Sequence, residues 1–232
     1  MKEFTVRFSI PIVLVLVVIL GGCTESPLDP GPTRTPGVGS WYAYSRVDTD
    51  SSRTAIPRTE SRDTLTVTST GNTFDGRSNL HLLESSRRHI YLSYEPNADV
   101  LSISPEGCDC LLNWIPYVIG SKKTTTLPGR DTVLSSGTQH WTITEVMRHD
   151  GTESITVPAG TFDTHKLTLT STSKVVGPAM TATAVTTTTY YFAPSIGYLA
   201  KVVRREESFM NTNTVPTIAS GSEQVLLGYE VK

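Results

Sequence analysis

The chain has 232 residues, 38% hydrophobic and 18% charged, an ordinary composition for one domain with a core of its own. Its 20 basic and 22 acidic residues leave a net charge of −2, so no basic field is present to attract nucleic acid.

The N-terminus reads as an export signal. "MKEFTVRF" carries Lys2 and Arg7, "SIPIVLVLVVIL" follows as an unbroken apolar run, and Gly21-Gly22 then supply small residues at a cleavage point. A membrane-spanning anchor is the alternative, but spanning needs about 20 apolar residues and this run is shorter.

Leu20-Gly21-Gly22-Cys23 resembles the lipobox of bacterial lipoproteins. That resemblance implies removal of residues 1–22, a diacylglyceryl thioether on Cys23, and acylation of the new amino group with chains such as palmitate. Two or more such chains give stable anchoring, at about 0.8 kcal/mol per buried methylene. Thr24 stands where an Asp would favour inner-membrane retention in enteric bacteria, which favours the outer membrane. The expected location is the cell envelope, with the membrane as a partner through the lipid.

Residues 23–39 are rich in Pro and small polar residues and read as an extended tether. The domain is expected over residues 40–232. There, period-2 runs replace helical periodicity. "DTLTVT" puts Leu65 and Val67 on one face and Thr64, Thr66 and Thr68 on the other. "HIYLSYE" aligns Ile90, Leu92 and Tyr94. "HKLTLTS" aligns His165, Leu167 and Leu169, and "QVLLGYEV" aligns Val225, Leu227, Tyr229 and Val231. One apolar and one Thr-rich face is the pattern of half-buried antiparallel sheet.

Turns are expected at Gly71-Asn72, at Pro96-Asn97-Ala98 and at Asp150-Gly151, the last a strong two-residue hairpin signal. The fold class that follows is all-β: a single antiparallel meander of about nine to twelve strands, curled into a barrel or half-barrel. A two-sheet sandwich is the alternative.

"VPAGTF" at 157–162 reads as hairpin punctuation rather than a site. Pro158 pre-sets φ, and Gly160 takes the left-handed position that returns the chain to the next strand. Pro194 and Gly197 in "FAPSIGYLAKV" repeat that grammar. Together with "VGSWYAY" at 38–44, these stretches are similar to a family of exported bacterial proteins with no assigned activity. The resemblance implies a β-rich extracytoplasmic domain. A looser likeness, on architecture alone, links the chain to curled-sheet carriers of lipoprotein acyl chains.

Motifs for chemistry are sparse. No nucleophile elbow, zinc-protease motif or phosphate loop is present. The five histidines lack metal-ligand spacing, and no metal or cofactor is expected. With Cys23 lipidated, Cys108 and Cys110 remain as a candidate disulfide; a redox switch or half of a soft-metal site are the functional alternatives. Trp114, Ile115 and Tyr117 lie in the most apolar stretch of the domain and either fill the core or line an apolar groove. The resulting expectation is a lipid-anchored, non-enzymatic envelope protein in protein binding or envelope assembly. The alternatives are a carrier of an apolar ligand such as a lipid, and an enzyme with an unrecognised site.

Overall fold

The computed structural model describes residues 29–95, 100–103, 113–118, 124–133, 139–178, 180–210 and 218–232. Cys23, Cys108 and Cys110 lie outside them. The described residues form one antiparallel sheet of thirteen strands. In chain order these are β1 (Trp41–Thr49), β2 (Ser61–Phe74), β3 (Arg77–Glu84), β4 (His89–Tyr94), β5 (Val100–Ile103), β6 (Ile115–Val118), β7 (Thr124–Thr126), β8 (Arg130–Val133), β9 (His140–Val157), β10 (Gly160–Val176), β11 (Thr181–Ala193), β12 (Tyr198–Met210) and β13 (Ile218–Glu230).

The topology is two meanders joined by their first and last members. One runs from β1 out to β6; the other runs from β9 back to β13, which pairs with β1. β7 and β8 both pair with the outer edge of β9. β6 and β7 therefore stand at opposite edges, yet the chain passes directly from Val118 to Thr124. Six steps of extended chain span at most about 22 Å. A flat sheet this wide would separate its edges by far more, at about 4.8 Å per strand. The sheet is curled into an unclosed half-barrel, as the sequence pattern suggested, rather than split into two layers.

The concave face is closed off by tyrosines at one end. Tyr117 on β6 reaches across to Tyr190, Phe192 and Tyr198, with ring centroids 5.2, 6.1 and 6.2 Å away. Tyr42 sits 5.1 Å from Tyr198. The tyrosine hydroxyls donate to a neighbouring stretch of backbone: Tyr42 to the Ile196 carbonyl (2.9 Å), Tyr44 to Leu199 (2.7 Å) and Tyr94 to Gly197 (2.8 Å). Leu65, Val67, Leu83, Leu92, Leu167 and Leu226 are fully buried around them. The predicted faces of β2, β4 and β10 are the buried ones.

Three expectations are corrected by the register. Gly71-Asn72 lies inside β2; the hairpin turn is Asp75-Gly76, whose consecutive positive φ values of 49° and 74° match strand twist. Asp150-Gly151 lies inside β9, where the register slips between Lys166 and Leu167 and Gly151 takes φ 106°. It is a bulge rather than a turn. On β13, Leu226 is the fully buried residue, while Val225 and Leu227 are only half-buried. A bulge between Ala43 and Tyr44 pairs Tyr44 with Leu226 and shifts the phase by one residue.

The tether is docked over its last part. The Arg34 N–H donates to Pro194 O (2.8 Å), the Gly37 N–H to Lys232 O (3.0 Å) and the Gly39 N–H to Val67 O (2.8 Å). Residues 34–40 therefore lie as a strap across the tyrosine-filled end.

Candidate binding trough on the concave face

Beyond the tyrosines the concave face turns polar and opens. The cross-strand pairing sets side chains in rows. One row runs Glu145, Ser171, Thr186, Glu206, Ser220. The next holds Thr188, Arg204, Ser222 and Asp48, and a third holds Tyr190, Val202, Gln224 and Arg46. Neighbours within a row stand about 4.8 Å apart, one strand spacing. The rows enclose a trough of about 350 Å³ lined by Arg46, Glu145, Thr188, Tyr190, Arg204 and Gln224 among others. A second hollow of about 200 Å³ adjoins it, sharing Arg46 and Gln224 and adding Tyr44, Asp63, Arg87 and Arg88. The main trough falls within the range of small-molecule sites, roughly 300–1,000 Å³.

Four arginine–carboxylate pairs stand along this face. Arg46 pairs with Asp48 (3.2 Å), Arg204 with Glu206 (2.8 Å), Arg88 with Asp63 (3.3 Å) and Arg130 with Glu145 (2.7 Å). Asn113 also donates to Glu145 (2.7 Å), tying the β6 edge to β9 across the mouth of the half-barrel. The Arg46 and Arg204 side chains stay 52% and 49% exposed, so much of each guanidinium faces the trough. Burial pushes the Tyr44, Tyr190 and Tyr198 hydroxyls well above their usual range, with nearby tyrosines adding to this, and raises Tyr117 as well, where hydrogen bonds with Ser102 and Tyr198 and the Arg88 charge pull the other way. The floor of the trough therefore stays protonated and uncharged.

His149 and His165 come together at the wall near Leu167, with ring centroids 5.5 Å apart. Burial holds both imidazoles below their usual value, and His149 adds to the effect on His165. The bulge at Asp150-Gly151 produces this approach, which the spacing in the chain does not suggest. Among the described residues, no three His, Cys, Asp or Glu side chains converge as a metal site.

The other singled-out residues fall as follows. Gly160 follows the two-residue Pro158-Ala159 loop and has φ 138°, with Val157 paired to Gly160. Pro194 opens a single 3-10 turn that Gly197 ends in the left-handed region at φ 70°. Tyr117 is buried in the tyrosine cluster and Ile115 packs against it. Trp114 is turned away, donating to Asp75 (2.8 Å) beneath the Arg77 guanidinium. Arg46, Arg88, Arg204 and Gln224 escaped the sequence reading, because a polar residue on an alternating strand looks the same whether it faces a trough or solvent.

A larger groove, about 520 Å³, lies on the convex face beneath the β1–β2 loop, with Thr189, Tyr191, Lys166 and Gly221 in its lining. Its one ring, Tyr191, is covered by the Lys166 ammonium at 5.5 Å.

No protein-family model matches the chain, and no curated protein matches it. Two solved structures are similar to it over most of its length. A protein named as a lipoprotein, from Parabacteroides distasonis, is 14% identical with a TM-score of 0.43, over 89% of this chain and 100% of that one. A protein named as exported, with a YmcC-like fold, from Bacteroides fragilis, is 11% identical with a TM-score of 0.32, over 86% of this chain and 97% of that one. At these values the likeness carries neither a role nor a ligand across.

Proposed function

We propose that this is a lipid-anchored cell-envelope protein that binds another envelope component in its concave trough and performs no chemistry on it. The trough itself is the observation that carries the reading: a polar, open hollow on a curled sheet whose apolar end is already filled by its own tyrosines. That filling favours binding in the trough over carriage of a lipid inside the sheet. The carboxylates on this face are each held by an arginine, which suits recognition better than proton transfer. Anchoring rests on Cys23, and Thr24 favours the outer membrane.

Two measurements test this. Cys23→Ser in the full chain should move the protein out of the membrane fraction or leave it unprocessed; a Ser variant that is processed and fractionates like the parent removes the anchor from the reading. A photoreactive residue at Ser171 or Gln224 should give discrete adducts in intact cells, whereas Thr187 and Thr189 on the convex face should not. Adducts confined to the convex positions would move the binding surface to the other face.

A further inference from the structure

We infer that the trough takes a neutral, polyhydroxylated ligand, an oligosaccharide chain. The inference rests on the trough being the binding surface and goes on to name the chemistry it recognises.

Its lining argues against the two other ligand classes. An apolar chain would have to desolvate Arg46, Arg204, Glu145 and Gln224 with nothing to replace their water. In the main trough an anion would find its cations taken, since Asp48 and Glu206 already stand beside Arg46 and Arg204; in the adjoining hollow Asp63 stands beside Arg88, and the exposed Arg87 at its rim has no ion pair among the described residues. An anion in the main trough would have to displace a carboxylate or lie against one.

A sugar hydroxyl needs neither step. A guanidinium has five N–H donors and a carboxylate about four acceptor positions, and one mutual contact leaves most of both unused. An Arg–Asp or Arg–Glu pair thus offers a donor and an acceptor side by side, the pattern that adjacent hydroxyls on one ring match. Ser171, Thr186, Thr188, Ser222 and Gln224 each both donate and accept. The rows repeat this offer at one strand spacing across β9 to β13 and onto β1, which suits a chain of similar units better than a single compact molecule. Tyr190, half-buried on the floor and uncharged, supplies a face for the C–H side of a ring.

The test uses the full chain in detergent micelles and three neutral probes: maltohexaose, cellohexaose and chitohexaose. An alginate hexamer and oleate serve as anionic and apolar comparisons. At least one neutral probe is expected to bind by calorimetry, with affinity nearly unchanged up to about 0.5 M salt, where exposed charge attraction is screened. Gln224→Ala and the isosteric Thr188→Val should each weaken it at least tenfold at unchanged thermal stability, and Thr189→Val on the convex face should not. Binding of alginate alone, falling steeply with salt, overturns the inference in favour of an anion site; binding of oleate alone overturns it in favour of a lipid. If none of the neutral probes binds while photo-adducts still form at Ser171 and Gln224, the ligand class is wrong and the binding surface stands. If those adducts are missing as well, both readings fall.

Discussion

Raising the pH past about 10 should unfold the domain in one steep step, with several tyrosine protons released together. Tyr42, Tyr44, Tyr94, Tyr117, Tyr190 and Tyr198 are packed on the concave face, and burial holds every one of their hydroxyls above the ordinary value near 10. Arg88, beside Tyr44, Tyr117 and Tyr198, offsets this only in part. The sign follows from linkage. The unfolded chain ionises its tyrosines near pH 10 while the folded chain keeps them protonated, so stability is intact below that pH and is lost as pH climbs toward the folded values. Each such group favours the unfolded state by about 1.4 kcal/mol per pH unit. The six together reach about 8 kcal/mol per unit, comparable with the roughly 5–15 kcal/mol total stability of a domain. Tyrosinate absorbance and sheet circular dichroism should therefore change together over about one to two pH units. A gradual phenolate titration centred near 10 with the circular dichroism intact would show that the rings are accessible and the interior is not closed. Tyr94→Phe should make the transition shallower, since it removes one titrating group while keeping the ring.

That interior marks how far the sequence could be read. Alternation alone placed Leu65, Val67, Ile90, Leu92, Leu167 and Leu169 on the buried side, and the structure puts them there. Alternation fails wherever an extra residue is inserted, because a bulge inverts every side chain beyond it. Val225 and Leu227 were expected inside, but the bulge at Ala43/Tyr44 presents Leu226 instead. Asp150-Gly151 and Asp75-Gly76 are the same dipeptide. One is a bulge within an 18-residue strand and the other a true hairpin turn. What separates them is the partner strand, which a local reading does not contain. The trough is harder still. Arg204, Ser222 and Asp48 form one row although Asp48 and Ser222 are far apart in the chain. That row exists only once β13 pairs with β1, closing the two meanders into one sheet.

Gly197→Ala should be the most damaging of the turn substitutions, and far worse than Gly160→Ala. Both glycines have positive φ, at 70° and 138°, so a side chain at either is strained by about 1–3 kcal/mol. Their surroundings differ. A Cβ at Gly160 would meet only the Phe162 ring, at 3.9 Å, an ordinary contact. A Cβ at Gly197 would lie 2.0 Å from the Arg34 carbonyl oxygen and 3.0 Å from Pro36 Cδ. Those atoms belong to the strap, which has to lift, and with it go the bond from the Arg34 N–H to Pro194 O and the contact of Pro36 O with His81. Gly197 O also accepts from Tyr94, so the tyrosine end loosens along with the strap. The backbone strain and the displaced strap together should cost at least about 3 kcal/mol, a fall in Tm of roughly 6–12 °C for a domain of this size. Gly160→Ala should lower Tm by only a few degrees. The strap gives a second readout: in Gly197→Ala a protease cutting after Arg34 should act much faster than on the parent, and in Gly160→Ala at the parental rate. Equal losses of Tm with equal resistance at Arg34 would mean that the strap does not hold the end of the sheet, and that both glycines act through backbone conformation alone.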